Sequence, residues 1–470
     1  MNDRKQSLRL ALATLAVLSI AGLGLGYVTA ERPLVDEVRT DDGWQHDSSR
    51  VASADSVTVI GTDSNSWRGR PGEVTTPRGR AELVAVDGDG TVLYYNDSRD
   101  VYWDVDPVPG TDATVEAAFA DHLDADACPT DWNHSRYAVD ETTWERYYEV
   151  HGESGRCTRN GVDRVNLTTG ETTTVWTATT PGQELTRFHD VDRVNETHLA
   201  VADIYLDRLF VVEQSSGDIV WTWNASDEFS TDETGGPYPK DWSHINDVEL
   251  VDDGERFMVS LRNHDRVVFV DRQRGEVDDS WTLGAEDEYD VLYEQHNPDY
   301  IPESEGGPAV LVADSENNRV VEYQRENGTW VQTWQWRDAR TQWPRDADRL
   351  PNGNTLVTDS NGNRVVEVDR EGEIVRSVTV AFPYEAERLG TGDESAGGSS
   401  AQSLGLDSRT GTEQNRLGVL VKDALPNKYL NGLMYATPVW MGLAEVALSL
   451  LAALSVMLWM SLEAVWRVRR

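Results

Sequence analysis

Lysine is almost missing from this chain. Of 42 Lys and Arg residues in 470, only Lys5, Lys240, Lys422 and Lys428 are lysine, against 82 Asp and Glu, for a formal charge of −40. That balance excludes a nucleic-acid binder or a partner of anionic surfaces. Cysteine is limited to Cys128 and Cys157. No Gly-rich loop joins a strand to a helix, so nucleotide cofactor motifs are absent and no cofactor is expected. Long hydrophobic runs are confined to the two ends.

Arg4, Lys5 and Arg9 precede an apolar run from Leu10 to Val28. A second run, from Val439 to Met460, is followed by Arg467, Arg469 and Arg470. Each approaches the ~20 residues that cross a bilayer, and the basic flanks predict that both termini are cytoplasmic and everything between is extracellular. A cleaved signal peptide is the alternative for the first run, because Val28-Thr29-Ala30 resembles a cleavage site, although the run exceeds the usual ~7 to 15 residue core. Glu445 is a costly acid in lipid unless it sits near the interface or meets a partner helix. Acidic surfaces with Arg in place of Lys resemble those of extreme halophiles. Sequons at Asn96, Asn133, Asn166, Asn195, Asn224 and Asn327 permit a glycoprotein. In an oxidising exterior the two cysteines are expected to pair and tie down an irregular insert between the first two blades, with two free thiols as the alternative.

Self-similarity governs the middle. Four segments begin at His189, His244, His296 and Arg345. In each, a turn such as Asp252-Asp253-Gly254 precedes a short apolar strand such as Met258-Val259-Ser260, then a crossover such as Asn318-Arg319-Val320-Val321, then a last strand. Four short strands per unit make a propeller blade. Two weaker units upstream raise the count to six blades, with seven as the alternative. The expected fold is therefore all-β, a six-bladed β-propeller flanked by two transmembrane helices. The expected order is anchor or signal 1–30, linker 31–55, propeller 56–384, linker 385–437, transmembrane helix 438–462 and basic cytoplasmic tail 463–470. Trp176, Trp221, Trp223, Trp281, Trp334 and Trp336 recur at blade ends and read as packing between blades.

The first strand of each blade lines the central channel, so His189, His244, His296 and Arg345 are expected to converge near one mouth. A second feature departs from the repeat. Asp203, Asp314 and Asp359 follow the second strand of their blades, whereas the fourth blade reads Ser260-Leu261-Arg262-Asn263-His264. A repeat that breaks its own rule marks a candidate functional site. Counting from the turn at 252–254 sets His244 and Arg262 side by side. A guanidinium beside histidines suits a tetrahedral oxyanion, with sulfate and phosphate esters as candidates. No metal site is expected, because Arg262 would repel a cation bound by His189, His244 and His296.

The stretch Asp241-Trp242-Ser243-His244-Ile245-Asn246 through Ser260-Leu261-Arg262 to Gly275-Glu276, with Gln295-His296 and Phe188-His189-Asp190, resembles the bacterial and archaeal arylsulfotransferases over about 186–380. The resemblance implies a six-bladed propeller that moves a sulfuryl group from an aryl sulfate donor to a phenolic acceptor through a sulfated histidine. It implies His296 as nucleophile, His189 and His244 as proton-transfer or positioning groups and Arg262 as the sulfuryl clamp. Arg345, Asn246 and His264 are expected to bind substrate beside them. The chain departs from the family in its two anchors and in lacking room for an N-terminal β-rich domain. The competing class is a non-catalytic surface propeller, whose sign would be a channel mouth closed by loops.

Overall fold

The computed structural model describes residues 2–40, 44, 46–53, 56–63, 79–391, 397–410, 422 and 426–468. Six antiparallel sheets form the propeller. Blade 1 joins both ends of the domain: Pro383–Arg388 is its inner strand, and Thr58–Thr62, Leu83–Val86 and Val92–Asn96 run outward. Closing the ring with the last strand ties the two ends of the propeller into one sheet. Blades 2 to 6 begin with the inner strands Val101–Pro107, Phe188–Asn195, Ile245–Val251, His296–Ile301 and Pro344–Arg349. These six inner strands touch one another in a ring around the axis.

Middle strands such as Ala309–Asp314, Ala-Val-Leu-Val-Ala-Asp, are buried throughout and nearly all apolar, because both faces are covered by neighbouring blades. Outer strands such as Ile374–Thr379 are largely exposed, with Val378 the buried residue of this one. Each pair of neighbours shares its own core. Leu209, Trp223, Phe257 and Val268 fill the gap between blades 3 and 4, and Leu311, Trp334, Trp336 and Val366 that between blades 5 and 6. Trp176 stacks on Phe188 across blades 2 and 3, 5.8 Å between centroids.

Several boundaries differ from the sequence reading. Residues 385–388, assigned to a linker by composition, complete the inner strand of blade 1, and Ala401–Leu404 forms a short helix with Ala401 buried against blades 5 and 6. Segment 31–55 is also docked in part: Val35 is buried and Leu34 N–H donates to Thr379 O at 2.9 Å. The Cys128–Cys157 disulfide forms, but its insert lies within blade 2, between the strands Thr114–Leu123 and Cys157–Asn166. Periodicity could not register an insertion inside a hairpin.

The ends form two long apolar helices, Asn2–Thr29 and Leu443–Val468, each able by length and composition to cross a membrane. The second starts later than the expected 438 and continues through the basic end, since Pro438 and Gly442 interrupt the helix before Leu443. Glu445 lies in its first turn and accepts from Gly442 N–H at 3.0 Å, where a carboxylate is favoured by the helix dipole. The helices pack antiparallel, with Arg9 Nη2 donating to Glu463 at 2.8 Å at one end and Tyr27 edge-on to Trp440 at the other. Both termini therefore lie at the same end of the pair.

Candidate active site

Hydrogen bonds between blades fix which residues share a level of the channel. Val191 N–H donates to Asp104, Val248 N–H to Asp190 and Ala386 N–H to Asp346, at 3.2, 2.6 and 3.0 Å. Counting back two residues from each donor and one from each acceptor, and two from Pro298, which holds the donor's place in blade 5, gives a ring of Trp103, His189, Asn246, His296, Arg345 and Tyr384. Asn246, and not His244, holds the ring position in blade 4. His244 comes two residues earlier at φ 45°, where blades 5 and 6 have Glu294 at 44° and Trp343 at 53°. Aligning the repeat on residue type shifted this blade by two.

Non-glycine residues at positive φ gather at functional sites, and His244 fits that pattern. Its Nδ1 lies 2.5 Å from Asp241 Oδ1, and its Nε2 lies 2.9 Å from Arg262 Nη1. Arg262 cannot accept, so His244 carries its proton on Nδ1 and accepts at Nε2. Arg262 Nη2 donates to Glu294 at 2.8 Å, and Lys428 also donates to Glu294. Burial opposes this ionisation, yet Arg262 and Lys428 hold the Glu294 carboxyl down to about 2. A cavity of about 310 Å³ opens beside this chain of charges, lined by Asp241, Arg262, Tyr289, Tyr293, Glu294 and Lys428 among others.

His296 is 2% exposed and sits among acceptors. Its Nδ1 lies 2.8 Å from Ser315 Oγ and 3.2 Å from Glu294 O. Ser315 Oγ donates its single proton to Pro344 O at 2.6 Å, so its lone pair must receive His296 Nδ1–H. The free lone pair of the neutral ring is thereby on Nε2. Burial, then Arg345 and Arg262, push the His296 pKa well below its ordinary value.

His189 stacks on Trp103 at 4.3 Å and meets His244 edge-on at 5.1 Å. Its Nδ1 lies 3.0 Å from Tyr384 Oη, and its buried Nε2 has no hydrogen-bond partner. Burial, then His244, drives its pKa well down. Arg345 lies over the rings of Trp343, Phe382 and Tyr384 at 4.5 to 4.8 Å and donates to Asp63 at 3.1 Å. Arg187, which the sequence reading passed over, lies 5.0 Å over Trp103, and its buried Nε has no hydrogen-bond partner. Burial lowers its pKa, and Asp63 and Arg345 both act on it. Its adjacency to Phe188-His189 was the available signal.

His264 does not join this group. It is fully buried, packs edge-on to Trp242 and Phe229, and is pushed by burial and then Arg266 to about 3. It is a core residue and not a substrate contact. Asn246 is buried and donates to Gln295 O at 2.9 Å.

The helix Asn427–Tyr435, inside the expected linker, docks on the mouth. Asn431 donates to Glu316 at 2.8 Å and accepts from Gln342, and Tyr435 meets Trp343 and Phe382 edge-on. The helix buries Leu430, Asn431 and Met434, and the sequence reading missed it because so short an apolar segment beside a long linker gives little helical periodicity.

The sequence model of the Arylsulfotransferase (ASST) family matches residues 211–381, from the third strand of blade 3 through blade 6. His244, Arg262, His296 and Arg345 fall inside that match and His189 outside it. No curated protein matches the chain. Among solved structures, the chain is similar to a periplasmic gluconolactonase of Pseudomonas aeruginosa, with 13% identity, TM-score 0.42, and 71% of this chain and 99% of that chain covered. It is also similar to a catalytically inactive virginiamycin B lyase of Staphylococcus aureus, with 8% identity, TM-score 0.35, and 71% and 86% covered. Likeness at this level carries no statement about activity.

Proposed function

We propose that this mouth moves a sulfuryl group from an aryl sulfate to a phenol through a sulfated His296. The observation that carries the reading is the fixed state of His296, a buried neutral imidazole whose Nδ1–H is held by Ser315 and Glu294 O, with its lone pair on Nε2. Such a ring is a ready nucleophile. Guanidiniums and aromatic rings surround it, which suits a substrate with a planar apolar part and an anionic head.

In the first half reaction His296 Nε2 attacks sulfur, the S–O bond to the aryl group breaks, and the phenoxide leaves with that electron pair. Arg345 and Arg187 face the sulfuryl oxygens. Among the described residues, Asp63 is the carboxylate that pairs with Arg345 and acts on Arg187, so two guanidiniums face one acid and positive charge is left for an anion. Arg262 positions His244, since its two Nη atoms are engaged by His244 and Glu294. His189 Nε2 holds the phenolic oxygen. In the second half the oxygen of a phenol attacks sulfur, the N–S bond breaks with its electron pair returning to His296 Nε2, and the proton the phenol releases replaces the one taken up by the first phenoxide. The basic residues at the shared end of the two helices, Arg4, Lys5, Arg9 and Arg467, support a cytoplasmic location for that end, with the propeller outside.

The docked helix Asn427–Tyr435 favours one second reading, a ligand-binding propeller with a covered mouth. Incubation of the detergent-solubilised chain with an aryl sulfate and no acceptor separates the two. A covalent gain of ~80 Da, one SO3, on His296 is expected of the transferase. Turnover by His296→Ala protein would sink the mechanism, and wild-type protein that binds aryl sulfates without adduct or turnover would establish the binding module.

A further inference from the structure

Below the ring of aromatic and basic residues, the channel turns acidic at every position but Asn297. The six positions that follow the ring are Asp104, Asp190, Asp247, Asn297, Asp346 and Glu385. Two residues further along each strand stand Asp106, Asp192, Glu249, Asp299, Asp348 and Glu387. Residues two apart on a strand share a face, so these are two stacked tiers around one axis. Their mutual influence agrees: Glu387 is acted on by Asp348, Asp346, Glu385 and Asp299, and Asp247 by Asp190, Glu249, Asp104 and Asp192.

Some of these acids have work. Asp104, Asp190, Asp192, Glu249 and Asp346 accept backbone N–H groups of the next blade. That stitching is interrupted at blade 5, where Pro298 offers no N–H, and Asp247 Oδ1 is buried with no hydrogen-bond partner. Glu387 goes further. It is 1% exposed, both of its carboxylate oxygens lack a hydrogen-bond partner, and the groups acting on it most strongly are all acids. A buried carboxylate without donors is costly, and one among like charges more so. Either protons or cations must fill the gap.

We infer that the acidic tiers form a binding site for a hard divalent cation of the calcium class, seated where Asp104, Asp106 and Glu385 converge and extended by Glu387. Ligand oxygens of the first three lie within 4.8 Å of one another, a span that two Ca–O bonds of about 2.3–2.6 Å close. The donors are oxygens alone, which suits a hard ion and not zinc or copper. This site is separate from the histidines and Arg262, whose positive surroundings repel a cation. Its role is to bind the inner strands of blades 1 and 2, including the strand that closes the ring.

The full chain, stripped with chelator in detergent and molar KCl to silence the acidic surface, is titrated with Tb3+ and then Ca2+. Sensitised Tb3+ emission from Trp103, next to Asp104 in sequence, is expected to saturate and to be displaced by Ca2+. Excess Ca2+ is expected to raise the melting temperature by about 5 °C or more. The isosteric variants Glu387→Gln and Asp104→Asn are expected to weaken Ca2+ at least tenfold, and Glu387→Gln to melt higher than wild type once stripped, because a repulsion is removed. Saturation unaffected by either variant, or no Ca2+-dependent shift in melting while Glu387→Gln still stabilises, overturns the inference in favour of surface binding or of protons shared among the acids. Sulfuryl transfer is not read in this experiment, so it stands or falls apart from the proposed activity.

Discussion

Blades 3, 5 and 6 end their second strand on an aspartate that grips the arginine opening the third, and blade 4 does not. The pairs are Asp203–Arg208, Asp314–Arg319 and Asp359–Arg364, at 2.9, 2.6 and 2.7 Å. The same register in blade 4 sets Leu261 opposite Arg266. Arg266 instead lies over Phe229 at 4.8 Å and comes 3.9 Å from Glu286. The residue after the clamp position is Ile204, Ser315 or Ser360 elsewhere and Arg262 here, and it reaches His244 and Glu294. A propeller blade thus tolerates loss of its ion pair when an apolar side chain takes the place, and the neighbouring position becomes free to carry charge into the mouth.

The sharpest way to break this comparison is to remove half of a clamp. Arg208 and Asp203 side chains are each 1% exposed, so Asp203→Ala leaves a buried guanidinium without its carboxylate and is expected to cost about 3–5 kcal/mol. Replacing both members by apolar residues, with Asp203→Leu and Arg208→Met together, is expected to cost much less than Asp203→Ala, because burial already opposes the pair and raises the Asp203 pKa despite Arg208. Chemical denaturation of both variants decides it. A double variant as unstable as the single one would show that the clamp does more than satisfy its own charges.

Much of this contrast was legible in the sequence. The Asp-to-Arg spacing in three blades and its failure at Leu261-Arg262 are visible as letters, and so are the six units, since turns and apolar strands repeat at near-constant spacing. What the letters could not give was register. His244 and His189 look equivalent, but the bulge that both strands share, at Phe188/Asp190 and at Ile245/Asp247, aligns His189 with Asn246 and leaves His244 two residues earlier at positive φ. His264 was misjudged because a histidine in a polar run gives no sign of facing a tryptophan. Arg187 and the helix Asn427–Tyr435 depend on contacts between residues far apart in the chain, as between Arg187 and Trp103 and between Asn431 and Glu316, which no local pattern encodes.

A second test uses the next position along. Blades 4 and 6 have Asn263 and Asn361 where blade 5 has Glu316, which burial and then Glu294 raise to about 7 from an ordinary 4.5. The folded state therefore keeps its proton between those values while the unfolded state loses it. Stability from this group is present below pH 4.5 and is lost as pH rises through 7. Glu316→Gln, which retains an acceptor for Asn431, is expected to gain about 3 kcal/mol over wild type at pH 8 and to match it at pH 4.5. Parallel pH profiles for the two proteins would contradict the assignment.

Arg262→Lys tests what blade 4 gained. A lysine keeps the charge but cannot hold His244 Nε2 and Glu294 at once with a planar fork. Sulfuryl transfer is expected to slow by about a hundredfold with folding unchanged, in line with loss of one preorganised charged contact. A rate within threefold of wild type would reduce Arg262 to a source of charge.

The smallest expected effect contrasts two serines at one repeat position. Ser315 receives His296 Nδ1–H while giving its own proton to Pro344 O, whereas Ser360 Oγ in blade 6 is buried with no hydrogen-bond partner. Ser315→Ala leaves Glu294 O, at 3.2 Å, as the remaining acceptor for that N–H, so the imidazole loses one of two restraints and keeps its tautomer. Loss of one such hydrogen bond is worth about 1 kcal/mol, which predicts a rate of His296 sulfation about five- to tenfold slower. Affinity for the aryl sulfate should hold, because Ser315 faces the ring's far nitrogen and not the substrate. Ser360→Ala removes a hydroxyl that bonds nothing and should leave the rate as it is. Single-turnover mass spectrometry of the three proteins reads both outcomes, and equal slowing in the two alanine variants would mean that the serine position supports the blade and does not orient the nucleophile.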